Sequence, residues 1–454
     1  MRTGSVRGAR FGPGSYCFMN RAPRPASPIM NHHPDIVVIG AGAIGACTAL
    51  ALARQGVKVR VVDKEDGPAR HQSSRNSGVV HAGYNLKPGS LKAKYCVEGN
   101  RRLKAFCLEH GVPLLEGGIL IVARSEEQRA VIDELKRRSD ANGVDARVVD
   151  AKEIRAIEPH AEGTAALHAP EGASLDSGAY VERLMGLVLE AGGEVRYGCQ
   201  VLGIAECGVR EAGKGEEGKG KREVGSLRVR TSQGVIETAV VVNAAGLHAD
   251  RVAGAVSEDL RVIPFRGYYA ELKPERRDLV RSHLYAAPDL AFPFLGVHLS
   301  RQADGRVLVG PGAMLAFGRE AYHLHHMNAR DLAGTLGWPG FWRLFRQPKF
   351  RTLIRTEVHK SLSLRAIWRE ARELVPQLRP NDLLRSFAGN RAQLVTRGGE
   401  LVNDILVRET ERAVHVLNAV SPGLTASLPF GEDLARRAIA KLNQGETGNG
   451  KGEE

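Results

Sequence analysis

The residues that could do chemistry begin with three glycines. Gly40, Gly42 and Gly45 form G-x-G-x-x-G directly behind the apolar run DIVVIG. Between a strand and a helix, that spacing cradles a pyrophosphate. The first glycine makes the tight turn, the second lets phosphate reach the backbone, and the third lets helix and strand pack closely. Free N–H groups and the positive dipole end at the helix start hold the negative charge, with Ile44 in the same turn. Asp63 ends the next apolar run and Lys64 follows it, where a carboxylate can accept from a ribose diol. The plain alternative is a glycine-rich turn with no nucleotide, and four positions in register weigh against it.

The second feature is HQSSRNSGVVHAG, residues 71–83, which has no helical or strand period. It follows the second strand of the nucleotide unit, so it can border a cofactor. His71, Gln72 and Ser73 are then cofactor contacts. His81, between Gly78 and Gly83, is a candidate general base, since histidine's ordinary pKa of about 6.5 lies near working pH. A histidine that merely bonds cofactor or backbone is the even alternative. Two distant segments fit further contacts of a long cofactor: Ala245-Gly246 at the end of VVNAAG, and Pro422-Gly423-Leu424 before the last helix.

Arg266 in PFRGYY and Arg391 in AGNRAQ carry the forked guanidinium that grips carboxylates, with structural ion pairs as the alternative. Tyr84, Tyr268 and His298 are expected to line the same pocket, a structural role being the plainer one for His298. The cluster YHLHH, residues 322–326, has no carboxylate or cysteine spaced to complete a metal site, and none is expected.

These residues need elements to hold them. DIVVIG reads as a buried strand, residues 40–56 as a turn and helix closed by Gly56, and 57–65 as a second strand, parallel to the first. Helices are expected over 90–111, 125–143 and 177–193, with Ser90, Ser125 and an Asp150–Glu153 capping box marking starts. Residues 261–314 alternate like antiparallel strands, 328–384 look helical and basic, and 415–442 read as strand, turn and helix. Residues 208–224 are Gly-, Lys- and Glu-rich, a solvated hairpin insertion without chemistry. The fold class is α/β, with a Rossmann-type unit interleaved with a second domain on a mixed or antiparallel sheet. The expected division gives 35–98, 155–256 and 385–442 to the cofactor domain and 99–154 and 257–384 to the substrate domain. Residues 1–34 and 443–454 are read as a disordered extension and tail.

The 454 residues carry a net charge of +13. That suits anionic partners or simply a basic surface, and no nucleic-acid signature accompanies it. Six cysteines without C-x-x-C pairing read as reduced thiols of a cytosolic-type compartment. Residues 1–34 hold five arginines and no acid, like a transit peptide in charge, but their glycines and prolines break an amphipathic helix. They read as a disordered or untranslated leader before Met30. Residues 341–370 hold eight Lys/Arg against two Glu, with Phe341, Trp342, Phe345 and Trp368 among them. Such a segment either packs as amphipathic helices or docks peripherally on anionic lipid. The expected location is cytoplasmic, with peripheral inner-membrane contact as an option, and mitochondrial only if 1–34 is a true transit peptide.

DIVVIGAGAIG, HQSSRNSGVVHAG, PGSLKAKYCVEGNRRLKAFC, IPFRGYY, FPFLGVHLS, VGPGAMLAFGREAY, AGNRAQ and NAVSP, in that order, resemble the L-2-hydroxyglutarate dehydrogenase/oxidase family. That family shares the fold of D-amino-acid and glycine oxidases. The resemblance implies bound FAD and oxidation of an α-hydroxy dicarboxylate to 2-oxoglutarate, with a quinone or oxygen as electron acceptor. The sequence departs from the family pattern at Tyr84-Asn85-Leu86, Ser74-Arg75, Asn390 and Gly423-Leu424. A glycine/sarcosine-type amine oxidase or a glycerol-3-phosphate dehydrogenase of the same fold is the near rival. A basic nucleotide-binding protein without activity is the distant one.

Overall fold

A computed structural model describes residues 33–207, 226–288, 290, 296–419 and 421–447. Strand β1 (Ile36–Ile39), helix α1 (Ala43–Ala53) and strand β2 (Val59–Val62) form the expected first unit, with β1 and β2 parallel. Both strands are buried throughout, which their β-branched runs require of parallel strands covered on two faces. They lie within a six-stranded sheet in the order Leu406–Glu409, Ala413–Asn418, Val240–Asn243, β1, β2, Glu194–Arg196. Helices α1, α2 (Leu91–His110), Ser177–Glu190 and Ser427–Thr447 share the main apolar core with one face of this sheet. The small antiparallel sheet of Val201–Cys207, Ser226–Thr231 and Gly234–Thr238 covers part of the other. The hairpin expected at 208–224 lies outside the described residues, as do most of the leader and of the tail, 289, 291–295 and 420.

The caps behave as their sequences indicate. Ser90 and Ser125 accept from the N–H three residues on, Asp150 and Glu153 form the reciprocal box, and α2 stops at a left-handed Gly111.

A second sheet of nine strands is mostly antiparallel. Its path is Met314–Leu315, Leu260–Leu272, Val307–Gly310, His298–Arg301, His283–Ala286, Ile119–Ala123, Ala165–Ala169, Arg147–Asp150, and Leu383–Thr396 pairs along Leu260–Leu272. This pairing corrects the expected division. Ala165–Ala169 and residues 385–396 were assigned by sequence to the cofactor domain but hydrogen-bond into the large sheet. Conversely Leu103, Phe106 and Cys107 of α2, assigned to the substrate domain, pack into the core around α1. Strand pairing between distant segments decides both, and local pattern carries no trace of it.

The helices at 329–374 pack Phe341, Leu344 and Phe350 against Ile263, Phe265 and Val395 of the large sheet, leaving Trp342 exposed. No described helix is long and apolar enough to cross a membrane.

Candidate active site

Residues of both large sheets line one cavity of ≈ 2110 Å³. A small substrate needs about 300–1,000 Å³, so this space suits a large cofactor beside it. At one end lie Gly40, Gly42, Ala43 and Ile44, with Asp63, Lys64, His71, Gln72, Ser73, Ala245 and Gly246 around them and Pro422, Gly423 and Leu424 further along the wall. Gly45 does not line the cavity. A Cβ there would fall 1.9 Å from the Gly40 carbonyl oxygen, so its hydrogen lets α1 lie against the end of β1. A Cβ at Gly42 would come 3.0 Å from Ser73 Oγ, which leaves room over the helix start for phosphate but little for a side chain. Asp63 Oδ2 accepts from Ala41 N–H at 2.7 Å and Oδ1 from Glu65 N–H at 2.9 Å. Each oxygen retains a lone pair for a diol.

Beside Asp63 is an ionic network absent from the sequence reading. Lys64 contacts Glu65 and pairs with Glu320 at 2.8 Å, while His71 Nε2 lies 2.9 Å from Glu65 and His248 Nε2 2.7 Å from Glu320. Burial raises the Glu320 pKa, but hydrogen bonds from His248 and Lys64 outweigh it and hold the carboxyl near 2. Glu65, His71 and Glu320 bring their ligand atoms within 4.8 Å of one another. The Lys64 ammonium lies against both carboxylates and supplies their counter-charge.

At the other end, His81 follows the short strand Val79–Val80, which pairs with Ala173–Leu175. Its backbone is pinned from two sides. Its N–H donates to Thr425 Oγ1 at 3.1 Å, and its carbonyl accepts from Asn100 Nδ2 at 3.1 Å. Burial lowers the His81 pKa to about 4, so the ring is neutral at ordinary pH. His298 also lines the cavity, stacked on Tyr285 at 4.3 Å. Its Nδ1 lies 3.3 Å from the Gly296 carbonyl, and its buried Nε2 has no hydrogen-bond partner among the described residues. Burial lowers its pKa to about 4 as well. Arg391 lines the cavity, its pKa reduced by burial to about 10.

Three expected pocket residues are corrected. On the Leu260–Leu272 strand, Phe265, Gly267 and Tyr269 line the cavity, whereas Arg266 and Tyr268 do not. Successive side chains of a strand point to opposite faces, so the two even-numbered residues turn away together. Arg266 is fully buried, donates to the Ala321 and His323 carbonyls at 3.1 and 2.6 Å, and sits over the Tyr268 ring. It braces the 314–323 segment and is not a cavity cation. Tyr84 is buried in an apolar cluster with Val79 and Tyr285, and Asn85 and Leu86 line the cavity instead. Tyr269 went unnoticed in the sequence, although counting in twos from the apolar Phe265 would have found it.

Comparison with known proteins then decides the family. The profile of FAD dependent oxidoreductases matches residues 35–437. The chain belongs to the FAD dependent oxidoreductase family. Within it the chain is similar to the L-2-hydroxyglutarate dehydrogenase of Indibacter alkaliphilus, 36% identical over 90% of this chain and 99% of that one. The Escherichia coli K12 protein of that name is 34% identical over 90% and 94%, and the human mitochondrial one 34% over 94% of each. Among solved structures, the FAD-bound L-alpha-glycerophosphate oxidase of Mycoplasma pneumoniae superposes with a TM-score of 0.70 at 24% identity, covering 90% of this chain and 94% of its own. The glycine oxidase of Geobacillus kaustophilus gives 0.64 at 17%, covering 89% and 95%. These two show the shared fold.

The residues of this chain fit the family's FAD. The Gly42 cradle would hold the phosphates and Asp63 the ribose diol, and Ala245, Gly246 and Pro422–Leu424 lie along the cavity wall. FAD is the cofactor of this oxidoreductase.

Proposed function

We propose that this chain oxidises L-2-hydroxyglutarate to 2-oxoglutarate. The observation that carries the reading is the pairing, on one cavity wall system, of two neutral histidines with a buried arginine. Similarity to dehydrogenases of that substrate along almost the whole chain supports it. Bound FAD supplies the hydride acceptor for the substrate Cα. The protein's share is to remove the hydroxyl proton and to hold the carboxylates. His81 takes the proton, held in place by the backbone bonds from Thr425 and Asn100. Arg391 holds a carboxylate as a fork of donors. Tyr269, kept protonated because burial raises its pKa to about 12, adds a hydroxyl donor. Burial of the two histidines as neutral rings excludes a competing positive charge and leaves lone pairs to receive protons.

A quinone or oxygen is the terminal acceptor in this reading. A cytoplasmic enzyme touching a membrane surface through exposed Trp342, Arg343 and Arg346 would reach a quinone pool. The test is anaerobic mixing of the purified flavoprotein with L-2-hydroxyglutarate, its D enantiomer, glycine and glycerol 3-phosphate. Bleaching of the flavin by the L-hydroxy acid alone is expected. Bleaching by glycine or glycerol 3-phosphate and not by L-2-hydroxyglutarate would overturn the assignment.

A further inference from the structure

A substrate with two carboxylates calls for two cations, and with Arg266 turned to the other face of its strand only Arg391 remains of the expected pair. A lysine stands close to it. Lys92 lies in the first turn of α2, is 9% exposed, and lines the cavity. Among the described residues no acceptor lies within hydrogen-bonding distance of its ammonium. Asp404 is near, but its two oxygens accept from the backbone N–H groups of Leu91 and Lys92 at 3.1 and 3.0 Å, and no ion pair to the ammonium forms within 4.0 Å.

This position is costly for a lysine on three counts. A cation in the first turn opposes the helix dipole, and α2 has no acidic residue there to offset it. Burial disfavours the charge, and the nearby Arg391 repels it. Nothing in the packing of α2 requires an ammonium, since Ser90 and Asp404 already cap the helix. A bound anion offsets these costs, because the dipole, Lys92 and Arg391 then all attract it.

We propose that Lys92 is the second carboxylate-binding cation of the active site and that it makes the enzyme select a dicarboxylate over a monocarboxylic 2-hydroxy acid. This rests on the proposed oxidation of L-2-hydroxyglutarate. Lys92 touches substrate and takes no part in the proton or hydride transfer.

The test compares Lys92→Met with the wild-type holoenzyme, methionine having a similar unbranched stem. The substrates are L-2-hydroxyglutarate and L-2-hydroxybutyrate, which lacks the second carboxylate. Flavin content checks that the variant is intact. We expect KM for the dicarboxylate to rise about 10- to 100-fold, the range for a lost hydrogen bond to a charged group, with KM for the monocarboxylate changed less than about twofold. An unchanged ratio of the two kcat/KM values overturns the proposal, as does an equal loss for both substrates. Direct binding gives a second reading that needs no variant. Glutarate, which cannot react, should perturb the wild-type flavin spectrum at concentrations at least about tenfold below butyrate. Equal affinity of the two would overturn the proposal even if Lys92→Met fails to fold. Failure of the wild type to oxidise L-2-hydroxyglutarate would instead refute the function on which it rests.

Discussion

Gly45→Ala is the smallest change that tests how the cofactor end is built. The added carbon would sit 1.9 Å from the Gly40 carbonyl oxygen, and Cβ atoms essentially never approach closer than 3.0 Å. Helix α1 and the end of β1 must therefore part by about 1 Å or distort locally. Neither partner is a flexible side chain: one is helix, the other the backbone of the turn. Overpacking of this kind costs about 1–3 kcal/mol, and here the rigid partner puts it at the upper end. Alanine returns at most about 1 kcal/mol through helix propensity. The net is a loss of about 2 kcal/mol, or roughly 2 °C in melting temperature for a chain of this size, because the unfolding entropy grows with length. The same displacement moves the helix start away from the phosphates, so bound flavin should fall too. The assay is a thermal melt of the flavin-stripped protein, with flavin-to-protein absorbance measured before stripping. Stripping separates the packing term from stabilisation by ligand binding. A variant melting within about 1 °C of wild type with full flavin content would show that the Gly40–Gly45 contact does not constrain the unit.

The remaining predictions concern the other end. His81→Asn should keep FAD and slow flavin reduction about 10²–10⁴-fold at saturating substrate, whereas His298→Gln should cost less than about tenfold; the reverse order in stopped-flow traces would make His298 the base. Because burial lowers the His81 pKa to about 4, the base form persists well into acid. The kcat/KM profile should then be flat from about pH 5.5 to 7.5, and an acid limb near 6.5 would refute the buried neutral ring. Arg266→Met should destabilise the fold by about 2–4 kcal/mol in urea while leaving KM within about twofold, because the Ala321 and His323 carbonyls lose charged donors. Arg391→Met should chiefly raise KM, and equal KM effects at both positions would contradict the strand-face assignment. Burial lowers His283, His298 and His415 to about 3, 4 and 4 from 6.5. All three are neutral when folded and protonate near 6.5 when unfolded, so stability is full above that pH. It should fall from about pH 6.5 down to 4 by up to about 1.4 kcal/mol per unit for each. A urea midpoint flat between pH 7 and 5 would refute this.

The cofactor end was legible in the sequence because its determinants are local. A β-branched run, three glycines at fixed spacing and a carboxylate one strand later specify strand, turn, helix and strand within about 30 residues. The helix caps at Ser90, Ser125 and Asp150 were readable for the same reason: donor and acceptor lie three residues apart. His81 could be singled out by its glycine-flanked loop. The Thr425 and Asn100 bonds that fix it span 344 and 19 residues and leave no mark in sequence.

The substrate end depended on long-range pairing. Which face of Leu260–Leu272 meets the cavity follows from its register with Leu383–Thr396, more than a hundred residues on, and that register separates Tyr269 from Arg266 and Tyr268. Period-two alternation limits the choice to two faces, but only the packed sheet picks one. Lys92 looked like one more charge in a basic helix until folding buried it beside Arg391. A sequence states which charges exist. The tertiary structure decides which lose their water, and a cation acquires a specific anionic partner where water can no longer serve it.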